Sequence, residues 1–152
     1  MFRKIVVWLF VKSISPRVKV KYTPNSFEFD FIHNSLSYCD DLQDFGFMRH
    51  LKEQHSASVP LKYFTYSILH ELGHYFTADS LNDEFEDDLE TRVALSMIDT
   101  DTAKKDKELQ DLYYNLPLEF AATEWAIEYA NKHKIKCKLF DRVVNYPNHT
   151  LP

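Results

Sequence analysis

The stretch "ILHELGHYF", residues 68–76, sets two imidazoles and a carboxylate inside an otherwise apolar run. Burying such groups is costly unless each finds a partner. On a helix, His70 and His74 lie about 40° apart around the axis and point the same way. Glu71 is turned about 100° from His70. Two imidazoles on one face suit a single metal ion. A carboxylate to the side can reach a water on that ion without ligating it. Gly73 stands within the same turns, where glycine costs about 1 kcal/mol relative to alanine. It would let another backbone or a substrate approach closely. The competing account is a structural histidine pair without a metal.

The segment "SVPLKYFTYSILHELGHYFT" predicts a helix, with Pro60 in its first turn. Tyr75 and Phe76 are expected to pack it into the core. A second strong helix is predicted in "NLPLEFAATEWAIEYANKH", with Pro117 near its start. "LETRVALSMI" and "AKKDKELQDLYY" can also form helices, separated from the first by the polar loop "DSLNDEFEDD". Near the start, "RVKVKYTP" and "SFEFDFIH" alternate apolar and charged residues as strands do. The "TPN" between them is a turn signal, so a two-stranded antiparallel unit is expected, with room for a third strand near Leu36 to Cys39. "MFRKIVVWLFVKSISP" reads as a short amphipathic helix or a buried strand. The tail "KIKCKLFDRVVNYPNHTLP" alternates weakly and then becomes irregular.

A third metal ligand has to come from elsewhere. A histidine soon after His74 would extend the motif, but the next one is His133. A later glutamate is the other common arrangement. Glu84 and Glu86 fall in the acidic loop and read as solvated charges. Glu90 suits the start of a helix, where an acidic side chain favours the dipole. Projected at about 100° per residue, Glu119 centres the apolar face of the helix after Pro117, among Ala122, Thr123, Ala126 and Ala130. Glu124 and Glu128 fall on the opposite, polar face. A carboxylate on a buried face needs a cation or a partner. Glu119 is therefore the leading third ligand; a capping role at its helix N-terminus, or ligation by Glu124, is the alternative.

The 152 residues suit one domain, residues 1–152. The two glycines leave few tight turns, which favours helices over an all-β fold. A net charge of −5 argues against a nucleic-acid partner. The apolar run from Ile5 to Val11 is too short to span a bilayer. No small-residue cleavage site follows it, so a cytoplasmic chain without a membrane partner is expected. Cys39 and Cys137 read as two buried thiols in a reducing compartment. His33, His50, His55 and His149 read as surface or loop residues.

"HELGHYF" followed by "LEFAATEWAIEYA" resembles the ImmA/IrrE-type metallopeptidases, a zincin family common on phages and mobile elements. Their later helix typically reads E-x-E-A-N-x-F-A. Here Glu119, Ala122 and Ala126 match. Trp125 stands for the aromatic, Ala121 for the second glutamate and Thr123 for the asparagine. The resemblance covers residues 59–132. It implies an α+β, zincin-like fold: a small antiparallel sheet packed on helices, with Zn2+ between the His70/His74 helix and a later one. It also implies a zinc peptidase in the cytoplasm, directed at a DNA-binding repressor or a similar regulatory protein. No helix-turn-helix segment is visible, so such a partner would be a separate chain.

Three functional classes follow. The first is a zinc-dependent endopeptidase with His70, His74 and Glu119 on the metal and Glu71 as general base. The second is a regulatory interaction module that keeps the zinc fold but turns over little substrate; an intact Glu71 argues against it. The third is a metal-free helical protein. For oxyanion stabilisation Tyr75, Tyr113, Tyr114 and His133 are available, and the sequence does not choose among them.

Overall fold

The computed structural model describes residues 1–24, 26–39, 51, 61–80 and 107–144. Its first element is a helix, α1 (Phe2–Ile14), rather than a buried strand. The helix runs through a stretch free of glycine and proline. It ends at Ser15, whose backbone is extended as a following proline demands. The Ser15 N–H closes the last turn on the Val11 carbonyl at 2.8 Å.

Three short strands follow: β1 (Lys19–Tyr22), β2 (Glu28–Asp30) and β3 (Ser35–Tyr38). Their order is β1-β3-β2, with β1 parallel to β3 and β2 antiparallel to it. The sheet is therefore mixed, which corrects the expected antiparallel pairing of β1 with β2. The reason lies at Thr23. Its N–H donates to the Tyr38 carbonyl at 2.8 Å, and its hydroxyl bonds the Ser26 carbonyl at 2.9 Å. Thr23 is thus tied to β3, and β1 does not fold back onto β2. The true hairpin joins β2 to β3. Asp30 Oδ1 accepts the N–H groups of Ile32 and His33, both at 3.0 Å, and Asn34 takes a left-handed φ of 48°. β3 occupies the centre, and all four of its residues are buried. The two strands with clearer alternation lie on either side of it.

Five α-helices fall wholly among the described residues. After α1 come α2 (Tyr63–Thr77), α3 (Lys107–Tyr114), α4 (Pro117–Lys132) and α5 (Lys134–Val144). Pro117 takes the first position of α4, as its fixed φ and missing N–H favour. The expectations for Pro60, "LETRVALSMI" and nearly all of the acidic loop lie outside the described residues. The tail was not expected to be helical, yet Lys134–Val144 is a helix. Cys137, Phe140, Asp141 and Val144 form its buried stripe at helical spacing. Cys39 and Cys137 are both buried free thiols.

α2 is the central element: every residue from Phe64 to His74 is buried. Such a helix needs neighbours on all sides. Phe64 meets Phe27, Tyr38 and Phe140, and so joins the sheet to α5. Phe10 of α1 stacks on Phe140 at 3.9 Å. Phe76 is half exposed and stacks on Trp125 of α4 at 4.7 Å, rather than entering the core as expected. On its remaining side α2 packs against α4. A Cβ placed on Gly73 would stand 2.8 Å from the Ala122 Cα and 2.9 Å from its carbonyl carbon. Only glycine admits α4 this closely.

Gly73→Ala should therefore destabilise the protein by about 1–3 kcal/mol, although alanine is the better helix former. Urea denaturation checks this; a variant as stable as wild type would mean that α4 can move away at no cost. A second prediction concerns the start of α2, where Asp141 Oδ2 accepts the Lys62 N–H at 3.2 Å. Burial pushes the Asp141 carboxyl up to about 6 from 3.8, against the pull of that bond and of the Lys62 charge. The folded state thus keeps this proton to higher pH than the unfolded chain does. Its contribution is complete below the unfolded value and is lost as pH rises through about 6. Asp141→Asn keeps an acceptor but removes the titration. Relative to wild type, it should gain roughly 1–2 kcal/mol between about pH 5 and pH 7, measured by denaturation at both values.

Candidate metal centre

The close approach at Gly73 brings the first turn of α4 over the end of α2. His70 Nε2 lies 2.8 Å from Glu119 Oε2, and His74 Nε2 lies 3.6 Å from Glu119 Oε1. The two imidazoles also meet edge to face, with ring centres 4.7 Å apart. All three side chains are buried, and their donor atoms lie within 4.8 Å of one another. This group can hold a metal ion. Tetrahedral zinc at about 2.0–2.1 Å from nitrogen and oxygen requires ligand atoms about 3.3 Å apart. The two observed imidazole–carboxylate distances lie on either side of that spacing. Among the described residues no other cluster of His, Cys, Asp or Glu has this geometry.

The helix projection of α4 holds in three dimensions. Glu119, Ala122, Thr123, Ala126 and Ala130 are buried, while Glu124 and Glu128 are exposed. Glu119 turns both carboxylate oxygens to the imidazoles, and Leu116, the residue that caps α4, makes no side-chain cap bond. His33 is an exposed turn residue bonded to Asp30 at 2.6 Å. His133 stacks on Tyr129 at the far end of α4, about 21 Å along the axis from Glu119 by the helical rise. Glu84, Glu86, Glu90, His50, His55 and His149 lie outside the described residues.

Two contacts were not foreseen. Thr123 Oγ1 lies 3.1 Å from His70 Nδ1, and so fixes the orientation of the ring behind the donor set. The signal was present in the sequence, since Thr123 follows Glu119 by four residues and shares its face. The Tyr113 hydroxyl also bonds the Glu119 carboxylate. Of the four aromatic and histidine candidates, Tyr113 is the one with this link to the donor set. The opposite ring nitrogen of His74, Nδ1, is buried without a hydrogen-bond partner. The Phe31 ring edge rests against His74, with ring centres 5.8 Å apart.

The charges divide between the two carboxylates. Burial works to raise Glu119, but the His74 and His70 charges and the bonds from His70 and Tyr113 outweigh it, and it sits below the ordinary carboxylate value. Burial and the charges of Glu119 and Glu28 push Glu71 up to about 8, against the pull of His70. Burial brings His74 down to about 4, despite the Glu119 charge. Burial would lower His70 as well, but its bond to Glu119 and the two acidic charges raise it above the ordinary value. His70 thus meets Glu119 through Nε2 and Thr123 through Nδ1. Two imidazoles and a carboxylate, all buried and facing one another, are a donor set that can hold a metal ion.

Glu119→Ala should weaken zinc binding at least about 100-fold, whereas Glu124→Ala should leave it unchanged. Thr123→Ala, which removes only the support behind His70, should weaken it about tenfold. Competition with a chromophoric chelator measures all three; wild-type affinity in Glu119→Ala would reject the ligand assignment. No protein-family model, curated protein or solved structure matches this chain, so the centre has to be understood from its own residues.

Proposed function

We propose that this chain is a zinc-dependent endopeptidase, with His70, His74 and Glu119 as metal ligands and Glu71 as general base. The observation that carries this reading is the environment of Glu71. It is buried next to His70, it lies outside the donor set, and it feels the charges of both His70 and Glu119. A purely structural metal site has no use for a buried, uncoordinated carboxylate beside it. Zinc held there would supply Lewis acidity toward water and a peptide carbonyl. Glu71 takes a proton from the attacking water onto its carboxylate and delivers it to the leaving amine nitrogen. Thr123 holds the His70 ring, and Tyr113 holds Glu119, so the ligands keep their aim while the proton moves.

β2 forms one edge of the described sheet, and Phe31, just past it, touches His74. An extended peptide added along β2 would run beside the metal ligands, with main-chain hydrogen bonds supplying affinity. The resemblance noted in the sequence suggests the kind of protein cut there: a DNA-binding repressor or a similar regulator.

Zinc-loaded wild type should carry about one zinc per chain. Glu71→Gln should keep that zinc and the fold but lose about 1000-fold or more in cleavage, because only the proton acceptor is removed. The comparison is made by mapping new N-termini in a cell extract incubated with each protein. New termini that appear equally with both proteins would reject Glu71 as the base. A wild type that binds no zinc would reject the centre itself.

A further inference from the structure

α1 presents apolar side chains on two separate arcs. At about 100° per residue, Val7, Phe10, Val11 and Ile14 share one arc, and Phe2, Ile5, Trp8 and Leu9 share another of about 120°. The first arc packs into the core. The second stands in solvent, with Phe2 61%, Ile5 50%, Trp8 48% and Leu9 54% exposed. It continues across a groove of about 350 Å³ onto Val20 and Tyr22 of β1. A contiguous apolar face of this kind is uncommon unless something covers it.

Its rim is basic. Arg3, Lys4, Lys12, Arg17, Lys19 and Lys21 all precede the first acidic residue, Glu28. The first 27 residues thus carry +6 within a chain whose net charge is −5. Lys4 Nζ lies over the Tyr22 ring at 3.9 Å, which sets a cation at the lip of the groove. Lys19 and Lys21 are exposed along β1. A second copy of the chain would bring like charges together, which opposes self-association through this face. Nucleic acid would match the charge but leave the apolar arc uncovered. An aromatic and aliphatic arc with lysines on its rim matches a helix that lies in the plane of a membrane surface.

We infer that the outer face of α1, with the edge of β1, docks on an anionic lipid surface. No helix of the described residues is long and apolar enough to cross a membrane. A helix lying in the interface has no such length requirement, so the shortness of the apolar run excludes spanning and nothing more.

The test is co-sedimentation of the full chain with phosphatidylcholine vesicles, with and without about 30 mol % phosphatidylglycerol. Wild type should partition at least about tenfold more strongly onto the anionic vesicles, and raised salt should weaken it. Ile5→Gln/Leu9→Gln should lower partition onto anionic vesicles about tenfold or more. Lys4→Gln/Lys19→Gln/Lys21→Gln should bring anionic binding down to the neutral level. These positions are exposed, and circular dichroism checks that each variant folds. If one does not, the lipid and salt dependence of wild type decides alone. Equal partition onto both vesicle types, or none onto either, would overturn the inference. So would duplex DNA binding without vesicle binding, or a dimer that Ile5→Gln/Leu9→Gln dissolves while vesicles are ignored.

Discussion

The buried contact of Glu119 with His70 and His74 is the constraint around which the rest is arranged. A carboxylate and two imidazoles can share a dry space only if two helices come unusually close. Gly73 makes this possible on α2, and Ala122 faces it from α4. Ala126 and Ala130 keep the same face of α4 small further along. Each of these choices weakens something elsewhere: glycine lowers helix propensity, and alanines bury little apolar area. The aromatic cluster around Phe64 supplies, at the other end of α2, the apolar burial that the small-residue seam gives up. The His70, His74 and Glu119 cluster and the packing of the two helices are therefore one feature, and changing the spacing changes the cluster.

The same environment assigns opposite roles to two carboxylates. Glu71 and Glu119 are both buried, so desolvation alone would raise both. What separates them is hydrogen bonding and position. Glu119 faces both imidazoles and the Tyr113 hydroxyl, and it remains ionised. Glu71 has His70 drawing it down but Glu119 and Glu28 repelling its charge, and it holds its proton to higher pH. Pairs of acids driven apart by their surroundings divide naturally into a charged partner and a proton carrier.

Much of this was legible in the sequence, for a definable reason. The face of α4 could be projected because helical geometry is local: Glu119, Thr123, Ala126 and Ala130 fall together whatever the rest of the chain does. Gly73 was recognisable as a point of close approach because it opposes the propensity of its own helix. The sheet was less readable, because the pairing of β1 is decided by where the Thr23 N–H finds an acceptor, and that acceptor is on Tyr38, fifteen residues later in the chain. α5 was hidden for a related reason. Its buried stripe contains Asp141, which interrupts an apolar pattern yet belongs in it, because its carboxylate serves the Lys62 N–H at the start of α2. Long-range hydrogen bonds gave these residues roles that no periodicity displays.

The position of α1 relative to α2 bears on how surface binding and chemistry can coexist. The inner arc of α1 is held by the stacking of Phe10 on Phe140, and the Arg3 guanidinium lies over the Phe64 ring at 4.5 Å. Both contacts lie at the start of α2. His74 is ten residues further on, about 15 Å along the helix axis. A rigid α2 connects the two ends without sharing side chains between them. A ligand on the outer face of α1 would thus leave the His70, His74 and Glu119 geometry unchanged. Docking there would leave the cluster as it is, since close-packed side chains between the two regions offer no second arrangement to switch into.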